Sequence, residues 1–386
     1  MSVRFEFATA TRVVFGVGVA AELGAAAAEM GRRALVVTGR DPTRAAAAIA
    51  GLAAAGVDAV VYAVTGEPGT EDAEAGVTAA RDAACDLVIA IGGGSPLDAG
   101  KAIAALMTNT GPVLDYLEVV GRGRALERDP APFIAVPTTA GTGSEVTRNA
   151  VLTARAQRVK VSLRSPKMLP RLALIDPALT LSLPPIVTVD CGLDALTQCL
   201  EPLVSCKANP VTDGLAREGL TRAVRSLRRA WAHGDDLAAR TDMCAASLLG
   251  GLALANAGLG AVHGLAGPIG GMFPAPHGAV CARLLPEVMA ANVAALELRA
   301  PGSPALARHR EVACILTGSR EASVGDGVAW LRALVHVLGV RGLGEHGVRS
   351  GDLPTLVAQG QRASSMKGNP IALTDDELLA ALTAAL

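Results

Sequence analysis

The chain has 386 residues, 51% of them hydrophobic but only 2% aromatic, and a formal net charge of −1. That length suits two domains of roughly 100–200 residues each, with cores built from Ala, Leu and Val. A near-neutral balance without a basic block excludes nucleic acid or anionic lipid as the main partner.

The opening Met1–Phe7 has no apolar core and no small-residue cleavage site. Seven cysteines without a Cys-x-x-Cys pair read as reduced thiols of a cytoplasmic protein. A strand at 12–15 leads into Gly16-Val17-Gly18-Val19-Ala20-Ala21, a loose match to the dinucleotide pattern G-x-G-x-x-A that carries little weight alone. The runs 34–38, 59–64, 86–91 and 133–136 read as short strands buried on both faces, with helices at 42–55 and 71–85 between the first three. This β–α–β rhythm implies a mostly parallel sheet covered by helices. Asp41-Pro42 reads as a helix start, Asp at the cap and Pro in the first turn.

Beyond Asp176-Pro177 the β-branched runs stop. From about residue 183 nearly everything reads as helix, punctuated by Pro184-Pro185, Gly250-Gly251, Gly270-Gly271 and Pro274–Pro276. The expected fold is therefore an α/β dinucleotide-binding domain over 1–180 and an all-helical domain over 181–386. Residues 244–273 run almost without charge, yet Gly and Ala crowd them and His263 and Pro268 interrupt them. They read as a tightly packed buried helix rather than a membrane span.

Gly92-Gly93-Gly94-Ser95-Pro96-Leu97-Asp98 is the clearest local signal. It follows a buried strand and opens a helix, with Ser95 as the expected cap, Pro96 in the first turn and Asp98 completing a capping box. Glycine N–H groups at a helix N-terminus favour a phosphate. After the strand at 34–38, Gly39 stands where an acidic residue would accept hydrogen bonds from the ribose of NAD, and Arg40 follows it. A guanidinium there suits the 2′-phosphate of NADP, although a solvated loop arginine fits the sequence equally well.

Of the six histidines, His263 and His277 lie in the apolar glycine-rich stretch, where an unpaired polar side chain is costly to bury. Asp194 and Gln198 stand four apart, on one helical face. One carboxylate and two imidazoles form a common ligand set for Fe(II) or Zn(II). Spacing alone also fits two histidines satisfied by backbone.

Six segments settle the comparison: Gly92–Asp98, Pro137-Thr-Thr-Ala-Gly-Thr-Gly-Ser-Glu-Val-Thr147, Leu174–Pro177, Gly192–Thr197, Asn256–Gly264 and Pro276-His-Gly278. In order and spacing they resemble the iron-containing alcohol dehydrogenase family over almost the whole chain, with lactaldehyde reductase and 1,3-propanediol dehydrogenase among its types. The resemblance implies a dehydroquinate synthase-like architecture: a dinucleotide-binding domain, a helical metal domain and catalysis between them. It implies that Gly92, Gly93, Gly94, Ser95 and Asp98 serve the pyrophosphate, that Thr138, Thr139, Thr142 and Ser144 line the nucleotide site, and that Lys160 lies near the ribose and nicotinamide. Asp194, His263 and His277 fall on metal-ligand positions and are the expected catalytic centre. Gln198 stands where the family usually has a histidine ligand, and its carbonyl is a weaker, neutral donor. Gly267 replaces a further histidine, so proton transfer would pass through water or ribose hydroxyls.

The implied activity is reduction or formation of a small aliphatic aldehyde with NADP or NAD, NADP being favoured, beside a divalent metal, Fe(II) or Zn(II), in a homodimer. Arg148 and Asn149, beside the nucleotide segment, are candidate substrate residues, Arg148 for an anionic aldehyde. A salt bridge or a solvated loop position is the plainer explanation of Arg148. Cys191 and Cys199 flank Asp194, and buried inert thiols explain them. Two other readings stay open: a metal-independent enzyme resembling maleylacetate reductases, invited by Gln198, and a nucleotide-binding protein that no longer turns over.

Overall fold

The structure, a computed structural model, describes residues 4–386. Residues 8–182 form one compact unit; residues 183–386, joined by the segment Arg4–Phe7, form another.

In the first unit, strands β1 (Arg12–Phe15), β2 (Arg33–Thr38), β3 (Asp58–Ala63), β4 (Leu87–Gly92), β5 (Phe133–Pro137) and β8 (Leu172–Ile175) make one parallel sheet in the order β1-β8-β5-β4-β2-β3. Alternate residues feed opposite faces. Leu35, Val37, Val88, Ala90 and Phe133 enter one core, and Val36, Leu87, Ile89, Ile134 and Leu172 enter the other. Both faces of β2, β4, β5 and β8 are buried, which is why these strands read as unbroken apolar runs; β3, expected to be buried on both faces, lies at the sheet edge and is exposed or half-exposed throughout. Helices α1 (Leu23–Ala28), α2 (Ala46–Ala54), α3 (Thr70–Asp82), α4 (Gly94–Met107) and α5 (Val113–Tyr116) belong to this unit. Asp41 does cap the turn before α2, its carboxylate accepting from the N–H of Thr43.

The chain order has a consequence for binding. From β2 the crossover runs outward to β3, whereas from β4 it runs the other way to β5. The C-terminal ends of β2 and β4 therefore flank a topological switch point, the usual ligand crevice of an open parallel sheet. Sequence patterning missed one feature here. Strands β6 (Asn149–Ala154) and β7 (Val159–Arg164) pair antiparallel as a hairpin, and their mixed exposure hides them from a search for apolar runs.

The second unit is helical: α6 (Pro185–Val204), α7 (Pro210–Ala232), α8 (Leu237–Ala257), α9 (Ala261–Met272), α10 (His277–Arg299), α11 (Pro304–Thr317), α12 (Val324–Val337), α13 (Leu353–Arg362) and α14 (Asp375–Ala385). The expected single helix at 244–273 is two, because Gly258 takes a positive φ of 72° and ends α8. Gly250-Gly251 does not interrupt anything. It lies inside α8, where a Cβ on Gly250 would sit 3.2 Å from the Cys199 thiol and 3.3 Å from Gln198 Cβ. Likewise a Cβ on Gly192 would sit 2.2 Å from Leu227, and one on Gly219 would sit 2.6 Å from Cys199. Glycine is used here to bring α6, α7 and α8 close. Helices α8 and α10 are long and apolar enough to cross a membrane by composition, and half or more of each apolar stretch is buried by its neighbours.

Candidate active site

Two places in the molecule carry the chemistry-bearing residues, one in each unit. In the α/β unit, β4 ends at Gly92 and α4 begins at Gly94, with Gly93 as cap and no side-chain cap. The expected capping box is therefore absent. Ser95 is already inside the first turn, and Asp98 has other work. Its carboxylate accepts from Ser144 Oγ at 2.5 Å and from the Val151 N–H at 3.0 Å, and it pairs with Lys101 at 3.2 Å. Lys101 is wholly buried and donates also to Ser144 O, Thr147 Oγ1 and Asn149 O. Burial lowers its pKa, and Asp98 works against that. A buried ammonium without such partners would be untenable, so Asp98 and Ser144 are tied into the scaffold of the loop.

The glycines have a steric reason. A Cβ on Gly94 would meet Thr142 Cγ2 at 2.7 Å, and one on Gly93 would meet Thr139 Cγ2 at 3.2 Å. The segment 137–147 thus lies directly on the loop, and the Thr138 N–H donates to Gly92 O at 2.9 Å. The N–H groups of Gly94 and Ser95 find no backbone acceptor among the described residues, which leaves a donor pair at a helix N-terminus. Gly39, at the end of β2, is the neighbour of Pro96 across the switch point. Arg40 is exposed there. Asp41 is turned away, accepting from Thr43 Oγ1 at 2.5 Å and its N–H at 3.1 Å, with Arg44 at 4.0 Å.

The competing glycine loop is already filled. At Gly16–Ala20 the N–H groups of Gly18 and Ala20 donate to the Asp176 carboxylate at 3.0 and 3.2 Å. A carboxylate holding these donors repels a phosphate. Lys160, on β7, pairs with Glu67. Asn149 gives its carbonyl to Lys101 and lies 3.5 Å from Ser162 Oγ through its amide. Arg148 is half-buried just before β6.

In the helical unit, Asp194, Gln198 and Glu201 stand at i, i+4 and i+7 of α6, on one buried face. Gln198 Nε2 donates to Asp194 Oδ2 at 2.8 Å, leaving Oδ1 to face the interior. Glu201 grips the start of α9: Oε1 accepts the Val262 N–H at 2.8 Å, and Oε2 lies 2.6 Å from His263 Nδ1. That bond makes His263 Nδ1 the donor and turns Nε2 toward Asp194 Oδ1, 3.3 Å away. His277 is the first residue of α10, and its Nε2 lies 3.8 Å from the same oxygen. It stands there because Gly278 lets α10 abut α6; a Cβ on Gly278 would be 2.2 Å from the Asp190 carbonyl oxygen. Cys281, one turn into α10, places Sγ 3.6 Å from His277 Nε2.

The donor atoms of Asp194, His263, His277 and Cys281 all lie within 4.8 Å of one another. Asp194 Oδ1, His263 Nε2 and Gln198 Oε1 are buried without a hydrogen-bond partner. Lone pairs buried face to face are costly unless positive charge lies among them. Burial alone would lower the pKa of His263, but Cys281, Glu201 and Asp194 outweigh it and raise the value well above ordinary. The field that draws a proton there also draws a cation, and a carboxylate with two imidazoles fits Fe(II) or Zn(II).

The structure thus brings Asp194, Gln198, His263 and His277 together. Sequence reasoning missed Glu201 and Cys281, although their helical offsets from Asp194 and His277 carried the signal. It weighed Cys191 and Cys199 instead. Cys199 is packed among glycines, its thiol pushed far up by burial and donating to Ala246 O, and Cys191 is outside the cluster.

Comparisons with known proteins agree with this geometry. The iron-containing alcohol dehydrogenase signature matches residues 10–177, and the C-terminal signature of the same family matches 188–386. Alcohol dehydrogenase 4 of Saccharomyces cerevisiae is 36% identical over 360 residues, 90% of each chain. Long-chain-alcohol dehydrogenase 1 of Geobacillus thermodenitrificans is 47% identical over 226 residues, a match spanning 58% of this chain and 56% of that protein. A crystal structure of 1,3-propanediol oxidoreductase superposes with a TM-score of 0.92 at 30% identity, covering all of both chains. On these grounds, together with the converging carboxylate and imidazoles, the chain belongs to the iron-containing alcohol dehydrogenase family.

Proposed function

We infer that the protein interconverts a small aliphatic alcohol and its aldehyde, using NAD(P) and a divalent cation held by Asp194, His263 and His277. It is an oxidoreductase of the alcohol dehydrogenase type. The observation that carries the metal reading is the pair Asp194 Oδ1 and His263 Nε2, buried, unpartnered and turned toward each other at 3.3 Å, with His277 Nε2 beside them. The nicotinamide supplies hydride, and a cation at these donors supplies Lewis acidity toward the alcohol or carbonyl oxygen.

The chain's own residues do the rest. Glu201 locks the His263 tautomer and ring, and Gln198 holds the Asp194 carboxylate in one orientation. The N–H groups of Gly94 and Ser95 bind the pyrophosphate, and Thr139 and Thr142 close over that loop. NADP is preferred to NAD, a reading supported by the exposed Arg40 at the end of β2 and by the engagement of Asp41 with Thr43. The relatives named for long-chain alcohols and 1,3-propanediol support an aliphatic substrate. Arg148 extends this to anionic aldehydes; equal losses on anionic and neutral aldehydes in Arg148→Ala would remove that extension. Free cysteines at all seven positions suit the cytoplasm, and family membership supports a homodimer, measurable by light scattering.

The test is metal analysis of protein purified without chelators, followed by chelation and reconstitution. Chelation abolishes turnover and Fe(II) or Zn(II) restores it. Full activity in verified metal-free protein would refute the reading.

A further inference from the structure

Resting on the metal reading above, we propose that Cys281 is a fourth ligand, so that the cation is held by one carboxylate oxygen, two imidazole nitrogens and one thiolate sulfur, with Gln198 outside the coordination shell. Cys281 is fully buried. It lies one turn after His277 on the same face of α10, with Sγ 3.6 Å from His277 Nε2 and within 4.8 Å of the donor atoms of Asp194 and His263. The thiol lies at a place where Asp194 Oδ1, His263 Nε2 and Gln198 Oε1 are all buried and unpartnered among the described residues. Cys199 and Cys244, by contrast, are buried in ordinary helix packing and belong to no such cluster among the described residues.

Gln198 is the rival. Its amide has two ends, and the nitrogen is committed to Asp194 Oδ2 at 2.8 Å. Turning the amide over would set its oxygen against that carboxylate, so the nitrogen stays where it is. The amide therefore steers Asp194, while the thiolate brings the second negative charge that, with Asp194, balances a divalent cation. A sulfur donor also changes the metal's company: thiolates favour Zn(II) and Co(II) over harder ions, and Zn(II) accepts this mixed set in tetrahedral geometry with expansion to five when a further oxygen arrives.

The experiment uses the full chain loaded with Co(II) or Zn(II) alone. With Co(II), the wild type shows a near-ultraviolet thiolate-to-cobalt charge-transfer band at one ion per chain. Cys281→Ser loses that band and binds the ion more weakly, whereas Gln198→Ala keeps the band and, as an outer partner of Asp194, weakens binding by about 10- to 100-fold. X-ray absorption of the Zn(II)-loaded wild type, which needs no variant to fold, shows one sulfur scatterer at about 2.3 Å. An ion bound at one per chain with no band and no sulfur scatterer overturns the thiolate ligand and leaves the three-residue site standing. Failure of the wild type to bind either ion overturns both.

Discussion

The placement of His277 rests on a single missing methyl group, and Gly278→Ala tests it. A Cβ at position 278 would lie 2.2 Å from the Asp190 carbonyl oxygen, where real Cβ contacts essentially never fall under 3.0 Å. The opposing atom is backbone on α6, so no flexible side chain can yield. The start of α10 must retreat from α6 by roughly 0.8 Å, the gap between those two distances. Overpacking of this kind costs about 1–3 kcal/mol. The displaced residue is the neighbour of His277, whose Nε2 stands 3.8 Å from Asp194 Oδ1, and misplacement of a reacting group by about 1 Å costs on the order of 100-fold in rate. Thermal melting, equilibrium dialysis with Zn(II) and kcat/KM measured together should show a lowered Tm, weaker metal binding and a turnover loss of about that size. Gly302→Ala, where the added methyl meets nothing within 4 Å, serves as the control and leaves all three near wild type. Wild-type metal affinity and turnover in Gly278→Ala would refute the claim that this contact sets the ligand geometry.

Other consequences are as concrete. Burial raises the Glu145 carboxyl from 4.5 to about 7. The folded state then binds a proton that the unfolded state has released, so stability falls as pH rises from about 4.5 to about 7 and the full penalty persists above that; denaturant melts of Glu145→Gln should lose this part of the pH dependence. Asp98→Asn removes the carboxylate that pairs with the buried Lys101 ammonium and leaves it only neutral acceptors, and should cost up to about 3–5 kcal/mol in unfolding free energy; an unchanged melt would refute the claim that this pair supports the loop. Asp176→Ala removes the acceptor of the Gly18 and Ala20 N–H groups, costing about 1 kcal/mol, while cofactor affinity, followed by nicotinamide fluorescence, stays at the wild-type value. Arg40→Ala should lower kcat/KM with NADPH about 10- to 100-fold, as loss of charge-assisted hydrogen bonds worth about 1.5–3 kcal/mol implies, and leave NADH unaffected. Equal effects on both cofactors would remove the 2′-phosphate contact.

Much was legible in the residue order because the relevant physics is local. Strands buried on both faces must be apolar throughout, so β2, β4 and β5 announce themselves, and the glycine run after β4 signals a close approach to the backbone, made in the structure by Thr139 and Thr142. The motif spacing carried the family. Local physics also misled: Ser95 and Asp98 have the composition of a cap, yet the demand of buried Lys101 for negative charge, set by residues 46 and 48 positions further on, took Asp98 elsewhere.

Only tertiary structure decided which of two glycine loops is free, since the Asp176 carboxylate that fills the Gly16–Ala20 turn arrives from more than 150 residues away. It also decided what surrounds Asp194. Glu201, His263, His277 and Cys281 come from three helices, and no periodicity within any one of them specifies that they meet. Their meeting depends on Gly278 letting α10 touch α6 and on Glu201 reaching the first turn of α9. Such contacts are set by steric fit and buried charge acting through space, where distance along the chain has no bearing.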